Sequence, residues 1–132
     1  LRIPFAESDV YFCDASREQT TRVCRRILKK TTRAPAMFLE SNRLLMGLLV
    51  AARERGLSVP DDIRVVGFDP LGAELGCPAD FEIFQSLSGP IPILRQSVAE
   101  MGAKAAEFLI SSFDETLMGR WRIRLPVTLV TP

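Results

Sequence analysis

Two places in this chain put oxygen-bearing side chains where a small polar molecule could be held. The first is Asp69, which directly follows the apolar run Ile63-Arg64-Val65-Val66-Gly67-Phe68. An ionised carboxylate accepts two or more hydrogen bonds from neighbouring hydroxyls, which suits a polyol. In open parallel sheets ligands sit outside the carboxyl ends of the strands, so a carboxylate at such an end is a binding candidate. Pro70 biases Asp69 towards an extended backbone that would keep it at the strand tip. The second place is Ser41-Asn42, between the run Pro35-Ala36-Met37-Phe38-Leu39 and Leu44-Leu45. These residues read either as helix caps satisfying orphan N–H groups or as ligand residues beside a helix N-terminus that favours anions and hydroxyls. One residue could do both.

Groups for catalysis are scarcer. The chain has no His, which removes a Ser-His or Cys-His nucleophile pair and a conventional zinc site. Cys13, Cys24 and Cys77 have no CxxC spacing and cannot all pair with one another, so reduced and mostly buried thiols are expected. Asp69, Glu40 and Glu74 could in principle supply a carboxylate pair, but nothing in the sequence sets their separation. Solvated or capping roles are expected for the two glutamates. The chain reads as a binder that is not an enzyme and needs no cofactor or metal.

The elements that must position these residues alternate. Ser8 to Cys13 reads as a strand, and Asp14-Ala15-Ser16 offers N-caps for a helix to about Lys30. That helix carries Val23, Cys24, Ile27 and Leu28 as an apolar stripe. Arg22, Arg25, Arg26, Lys29 and Lys30 fill the rest, as a solvated face. After the strand at 35–39, a second helix buries Leu44, Leu45, Leu48, Leu49 and Ala52, with Gly47 allowing close approach to a neighbour. Gly56 caps it, Pro60 fixes a turn, and Asp61-Asp62 lead into the strand that ends before Asp69. A loop follows, then a short strand at Phe81–Gln85 and a connector through Pro90 and Pro92. Ser97 and Glu100 make a capping-box pattern for a helix to about Phe113, and a final strand runs from Trp121 to Val130 around Pro126. This order gives an α/β fold, a parallel sheet flanked by helices.

Composition agrees. The 132 residues are 47% hydrophobic and 25% charged, in the range of globular domains. A net charge of +1 implies no whole-chain attraction to nucleic acid or anionic lipid. No apolar run has the length of a membrane span, and the start, Leu1-Arg2-Ile3-Pro4, reads as that of a fragment without a secretory signal.

Arg55-Gly56-Leu57-Ser58-Val59-Pro60-Asp61-Asp62 running into Val65-Val66-Gly67-Phe68-Asp69 resembles the effector-binding region of the LacI/GalR family of bacterial transcription repressors. Arg95-Gln96, Glu100-Met101-Gly102 and Pro126-Val127-Thr128-Leu129-Val130 extend the likeness from about Val10 to Val130. Ser41-Asn42 with Leu44-Leu45 and Gly47 looks closest to the fructose and sucrose repressor branch. The resemblance implies a truncated, periplasmic-binding-protein-like fold. Residues 1–90 would be the C-terminal lobe, 91–118 a connector and a helix belonging to a missing N-terminal lobe, and 119–132 a returning strand.

By the same resemblance, a sugar or sugar phosphate binds between the lobes of a cytoplasmic homodimer. Operator DNA is contacted only through an N-terminal helix-turn-helix that this chain lacks. Asp69 matches a carboxylate that bonds effector hydroxyls, and Ser41-Asn42 match an Asn-Asp pair with one negative charge fewer, which makes a phosphorylated effector easier to tolerate. Ala15 falls where many members stack an aromatic ring on the ligand. Pro70 replaces a frequent Asp, and Pro92 a frequent Thr. Gly47, Leu48 and Ala51 are the implied dimer contacts. The helix from Ser97 carries Val98, Met101, Ala105, Phe108 and Leu109 on one face, which a partner chain is expected to cover. The other function open to this fold is sugar binding for a transport system.

Overall fold

A computed structural model of the chain describes residues 6–14, 16–30, 36–69, 82–113 and 122–132. Helix α1 (Arg17–Lys30) begins where Ser16 receives the Gln19 N–H on its Oγ at 3.3 Å and the Thr20 N–H on its carbonyl at 3.0 Å. That is the N-cap arrangement a serine favours. Strand β1 (Ala36–Phe38) leads into α2 (Asn42–Arg53). The end of α2 is closed by the Leu57 N–H bonded to the Ala52 carbonyl and the Gly56 N–H to that of Arg53, with Gly56 at φ +66°. These two bonds form a Schellman motif, in which glycine takes the left-handed position without a Cβ penalty.

The Ser58–Ile63 turn is held by the Asp62 carboxylate, which accepts the Ser58 N–H at 2.8 Å. Strand β2 (Arg64–Phe68) follows, then β3 (Ile93–Gln96), α3 (Val98–Ser111) and β4 (Val127–Val130). The sheet order is β1-β2-β3-β4. The first two pairings are parallel, with Met37 opposite Val65 and Gly67 opposite Ile93. The last is antiparallel, with Gln96 opposite Val127.

The core lies between α2 and the sheet face that carries Val65, with α1 closing over α2. Leu45, Leu48, Ala51 and Ile63 are 0% exposed, joined by Cys24, Leu28, Leu49 and Val59. Of the stripes expected on the two helices, Cys24, Leu28, Leu45, Leu48, Leu49 and Ala52 are buried while Val23, Ile27 and Leu44 are half-buried, and each large side chain removed from water contributes about 1.5–3 kcal/mol. Gly47 sits against α1 so closely that a Cβ there would lie 2.5 Å from the Thr20 Oγ1 and 2.8 Å from the Thr20 backbone carbon. Thr20 tolerates this burial because its hydroxyl donates to carbonyls in its own turn, those of Ser16 and Arg17. At the rim, the Arg25 guanidinium grips the Glu54 carboxylate with two hydrogen bonds, removing one cation from the basic face of α1.

Several elements differ from the sequence reading. Residues 8–13 are no strand: Glu7–Asp9 is a 3-10 turn in which the Asp9 carboxylate accepts the Ala6 N–H at 3.0 Å. A short acidic side chain bonding its own backbone competes with sheet pairing, and here it wins. At Phe81–Gln85, residues 82–84 are helical instead of extended. Ser86 gives both its N–H and its hydroxyl proton to the Ile83 carbonyl, so Ile83 and Leu87 meet the core at helical spacing. The connector through Pro90 and Pro92 runs straight into β3, a strand absent from the sequence reading; Pro92 only has to accept, and its carbonyl takes the Gly67 N–H at 3.0 Å. Strand β4 starts after Pro126, not at Trp121, and Trp121 itself lies outside the described residues. The capping box is not made, since Ser97 caps α3 with its carbonyl and no side-chain bond.

In the single chain α3 has no buried residue, and Val98 and Leu109 on its apolar side are 65% and 63% exposed.

Gly47→Ala is expected to destabilise the chain by about 1–3 kcal/mol, because α1 and α2 must separate to admit the methyl group. Gly56→Ala meets nothing within 4 Å and should cost about 1–2 kcal/mol, from the left-handed backbone alone. Urea denaturation of the two variants reads both. A Gly47→Ala chain as stable as the parent would contradict the packing described.

Candidate functional site

Asp69 is placed by β2 and restrained by β3. Its N–H donates to the Leu94 carbonyl at 2.8 Å, extending the parallel ladder one residue past the strand. Its backbone is not extended, as the following proline suggested, but left-handed at φ +66°. Aspartate is among the few residues that tolerate this region, because its short side chain can bond neighbouring backbone. That is what happens here. Oδ1 accepts the Gln96 N–H at 3.3 Å and Oδ2 accepts the Gln96 Nε2–H at 2.7 Å. The turn in the chain brings the carboxylate onto the end of β3.

Ser41 and Asn42 arrive at the same edge of the sheet. β1 lies beside β2 and parallel to it, and the Leu39 N–H bonds the Val66 carbonyl at 2.9 Å, so the pairing persists to the end of β1. Neighbouring strands stand about 4.8 Å apart, so parallel strands deliver their carboxyl-terminal loops side by side. Ser41 is the N-cap of α2 by conformation, and its carbonyl accepts the Leu44 and Leu45 N–H groups, but its side chain makes no cap bond. Both residues are half-exposed. The capping role expected of the Ser41 hydroxyl is thus not used, which leaves that oxygen available at the start of a helix.

The neighbourhood holds two features that sequence reasoning missed. Phe38 and Phe68 meet edge to face with ring centroids 6.3 Å apart, and Phe38 is 58% exposed. Equivalent places at the ends of adjacent apolar runs were the only signal for that pair. Gln96 is the second. Its residue type was visible within the family-like Arg95-Gln96, but its contact with a residue 27 positions earlier was not.

Cys13, in the segment before α1, has its thiol pushed up chiefly by burial, then by the carboxylates of Asp14 and Glu40. Asp14 is held below its ordinary value by hydrogen bonds from the Ser16 hydroxyl and N–H, with Arg22 adding to the effect. Cys24, in the core, is pushed up to about 11, mainly by burial and then by Cys13. Ala15, Pro70 and Glu74 lie outside the described residues, as does Cys77. Among the described residues no cluster of His, Cys, Asp and Glu could hold a metal ion, and no helix is long and apolar enough to cross a membrane.

Gly47, Leu48 and Ala51 correct an expectation. Inferred as dimer contacts, they are buried within the chain itself, Gly47 against Thr20 and the other two in the core, so they offer no surface to a partner. Close approach was the right reading of Gly47, and the neighbour is α1 of the same chain.

Strand order, parallel pairing and a carboxylate at a strand tip describe a known kind of domain. Residues 4–131 match the family model of the periplasmic binding protein-like domain. The chain belongs to that family. This periplasmic binding protein-like domain is 35% identical over 86 residues to the arabinose metabolism transcriptional repressor of Geobacillus stearothermophilus, covering 65% of the chain and 21% of that protein. It is 26% identical over 113 residues to the ribose operon repressor of Halalkalibacterium halodurans, covering 86% and 31%.

In three dimensions it shares its fold with the Lac repressor bound to ONPG in the repressed state, at a TM-score of 0.65, 23% identity, and coverage of 89% and 33%. A ribose-bound LacI family regulator from Enterococcus faecium gives a TM-score of 0.62, 19% identity, and coverage of 88% and 39%. These curated relatives are transcriptional repressors, not enzymes, and the chain spans a third of their length or less.

At pH 8 a thiol titrating near 11 is ionised to only about one part in a thousand, so Cys24 should resist a disulfide reagent until the chain unfolds. Mass-mapped labelling with Ellman's reagent should modify Cys13 well before Cys24. Labelling of Cys24 at the rate of free cysteine in native buffer would overturn the core placement.

Proposed function

We propose that this domain is the effector-sensing part of a sugar-responsive transcriptional regulator, cytoplasmic and without catalysis. DNA is contacted through a helix-turn-helix head outside these 132 residues. The observation that carries the reading is Asp69, a carboxylate held in a left-handed turn at the tip of β2, at the same edge of the sheet as the Ser41 and Asn42 that follow β1. The repressors named for arabinose and ribose among its relatives support a sugar. They favour regulation over the alternative of transport.

In this reading Asp69 accepts hydrogen bonds from vicinal hydroxyls, while Ser41 and Asn42 bind a further oxygen at the start of α2, where the helix favours negative charge. Ser41-Asn42 carry no charge of their own, so a sugar phosphate is admitted as readily as a free sugar. Ala15 leaves the stacking position without a ring. The narrower likeness to fructose and sucrose repressors leans partly on Gly47, a residue already required by its contact with Thr20. The effector is therefore proposed at the level of sugar or sugar phosphate. Residues 1–90 form the C-terminal lobe in this proposal, the helix within 91–118 answers to an N-terminal lobe, and 119–132 return. Homodimerisation is part of the same proposal, through surface other than Gly47, Leu48 and Ala51.

Calorimetric titration of the intact regulator with D-ribose, L-arabinose and ribose 5-phosphate tests the site. Asp69→Ala should weaken binding of whichever compound binds by about 1.5–3 kcal/mol, the range for a hydrogen bond to a charged group. Unchanged affinity would remove Asp69 from the site, and light scattering on the same protein should give the mass of a dimer.

The 132-residue chain alone should not shift operator DNA in a sequence-dependent way, since its net charge is near zero and it shows no recognition-helix pattern. A sequence-dependent shift at moderate salt would place DNA recognition within these residues.

A further inference from the structure

The solvent face of α1 carries a run of like charges. Arg22, Arg25, Arg26, Lys29 and Lys30 are all exposed. Arg22 and Arg26, Arg25 and Lys29, and Arg26 and Lys30 are each four residues apart, the spacing at which like charges oppose a helix. Glu18, one turn before Arg22, and the attraction of Arg22 to Asp14 relieve only the start of the run. Further along, Arg25 forks onto Glu54, through Nε at 2.7 Å and through one of its terminal nitrogens. Among the described residues Arg26, Lys29 and Lys30 make no ion pair. Lys29 and Lys30 suit the negative end of the helix dipole, but Arg26 lies outside the last turn, beyond the reach of that dipole.

The place of the run is the second observation. Thr20 meets Gly47 and Arg25 meets Glu54, so α1 and α2 run in the same direction and end together. That end is opposite the edge that carries Ser41, Asn42 and Asp69. Arg53 and Arg55, both exposed, flank Glu54 there. The chain's 17 Lys and Arg and 16 Asp and Glu nearly cancel, so the cations gathered here reflect segregation of charge and not an excess of it. Along one border of the run stand Val23 and Ile27, half-buried, three residues before Arg26 and Lys30.

We propose that this face of α1 docks an acidic amphipathic helix of a partner protein. Carboxylates repeating every three and four residues on such a helix meet cations repeating at the same spacing, and its apolar side covers Val23 and Ile27. The Arg25–Glu54 fork shows the contact within the chain itself, and Arg22 and Arg26 offer a carboxylate the same planar pair of donors. A nucleic acid fits less well. Neither α1 nor α2 has an aromatic side chain on which a base could stack, and both helices bring their carbonyl ends here instead of the N–H groups that cradle phosphate. The proposal does not depend on what the strand-tip edge binds.

The probe is a fluorescent peptide of about 20 residues, long enough to form a helix, with Glu on one face and Leu and Ala on the other. Its anisotropy is followed against the full 132-residue chain at about 0.15 M salt, where loose attraction between distant charges is screened. The peptide should bind, and a scrambled peptide of the same composition should bind at least about fivefold more weakly, because it presents no matching stripe. Arg26→Glu combined with Lys30→Glu should weaken binding at least about tenfold, as reversed charges in an interface do. Arg122→Glu combined with Lys104→Glu makes the same change in net charge elsewhere and should leave affinity within about twofold of the parent. Unchanged far-ultraviolet circular dichroism shows that the variants remain folded.

Failure of the peptide to bind, equal binding of the scrambled peptide, or equal loss in the two double variants would overturn the docking surface. Duplex DNA of random sequence that binds more tightly than the peptide, and loses that binding with Arg26→Glu and Lys30→Glu, would assign the face to nucleic acid instead.

Discussion

Everything else in this domain depends on how closely α1 and α2 approach at Gly47 and Thr20. A side chain at Gly47 would enter the Thr20 side chain and backbone, so the two helices lie together as one layer only because that side chain is missing. The layer in turn buries Val65 of β2 and Ile63 just before that strand. Thr20 can be the surface of contact because its hydroxyl is already bonded within its own helix, so burial leaves no polar group without a partner. The consequence for function is positional. β1 and β2 run parallel beneath that layer, so the residues that follow them, Ser41, Asn42 and Asp69, come to one edge.

At that edge a carboxylate, a hydroxyl and an amide follow strand ends beside a helix start, and the proposed recognition of a polyol rests on these groups. The membership in the periplasmic binding protein-like family and the repressors among its relatives agree with that chemistry. Asp69 does more than face outward: its backbone is turned back and its carboxylate bonded to Gln96. Gln96 also lines a groove along α3.

Much of this was legible in the linear sequence. The buried stripes of α1 and α2, the glycine cap at Gly56, the strand before Asp69 and the α/β class follow from local rules: residue period, turn chemistry and strand-end position. The family resemblance reached further, to the carboxylate at a strand tip. These features are set by neighbours within a few positions, where backbone geometry alone decides which side chains share a face.

The remaining features were decided only by the folded chain. Strand β3 is half polar and follows two prolines, so its identity comes from the β2 carbonyls and N–H groups it meets and not from its own composition. The strand expected at 8–13 failed for the converse reason, since no partner offset the local bond from Asp9 to Ala6. Gly47, Leu48 and Ala51 read correctly as a close-packing surface, but whether that surface meets another chain or α1 is a question of which element arrives there first. The bond between Asp69 and Gln96 spans 27 positions. A strand needs a partner, a packing face needs a neighbour and a carboxylate needs a donor, and each of these is supplied by residues distant in sequence, so only the tertiary structure could decide them.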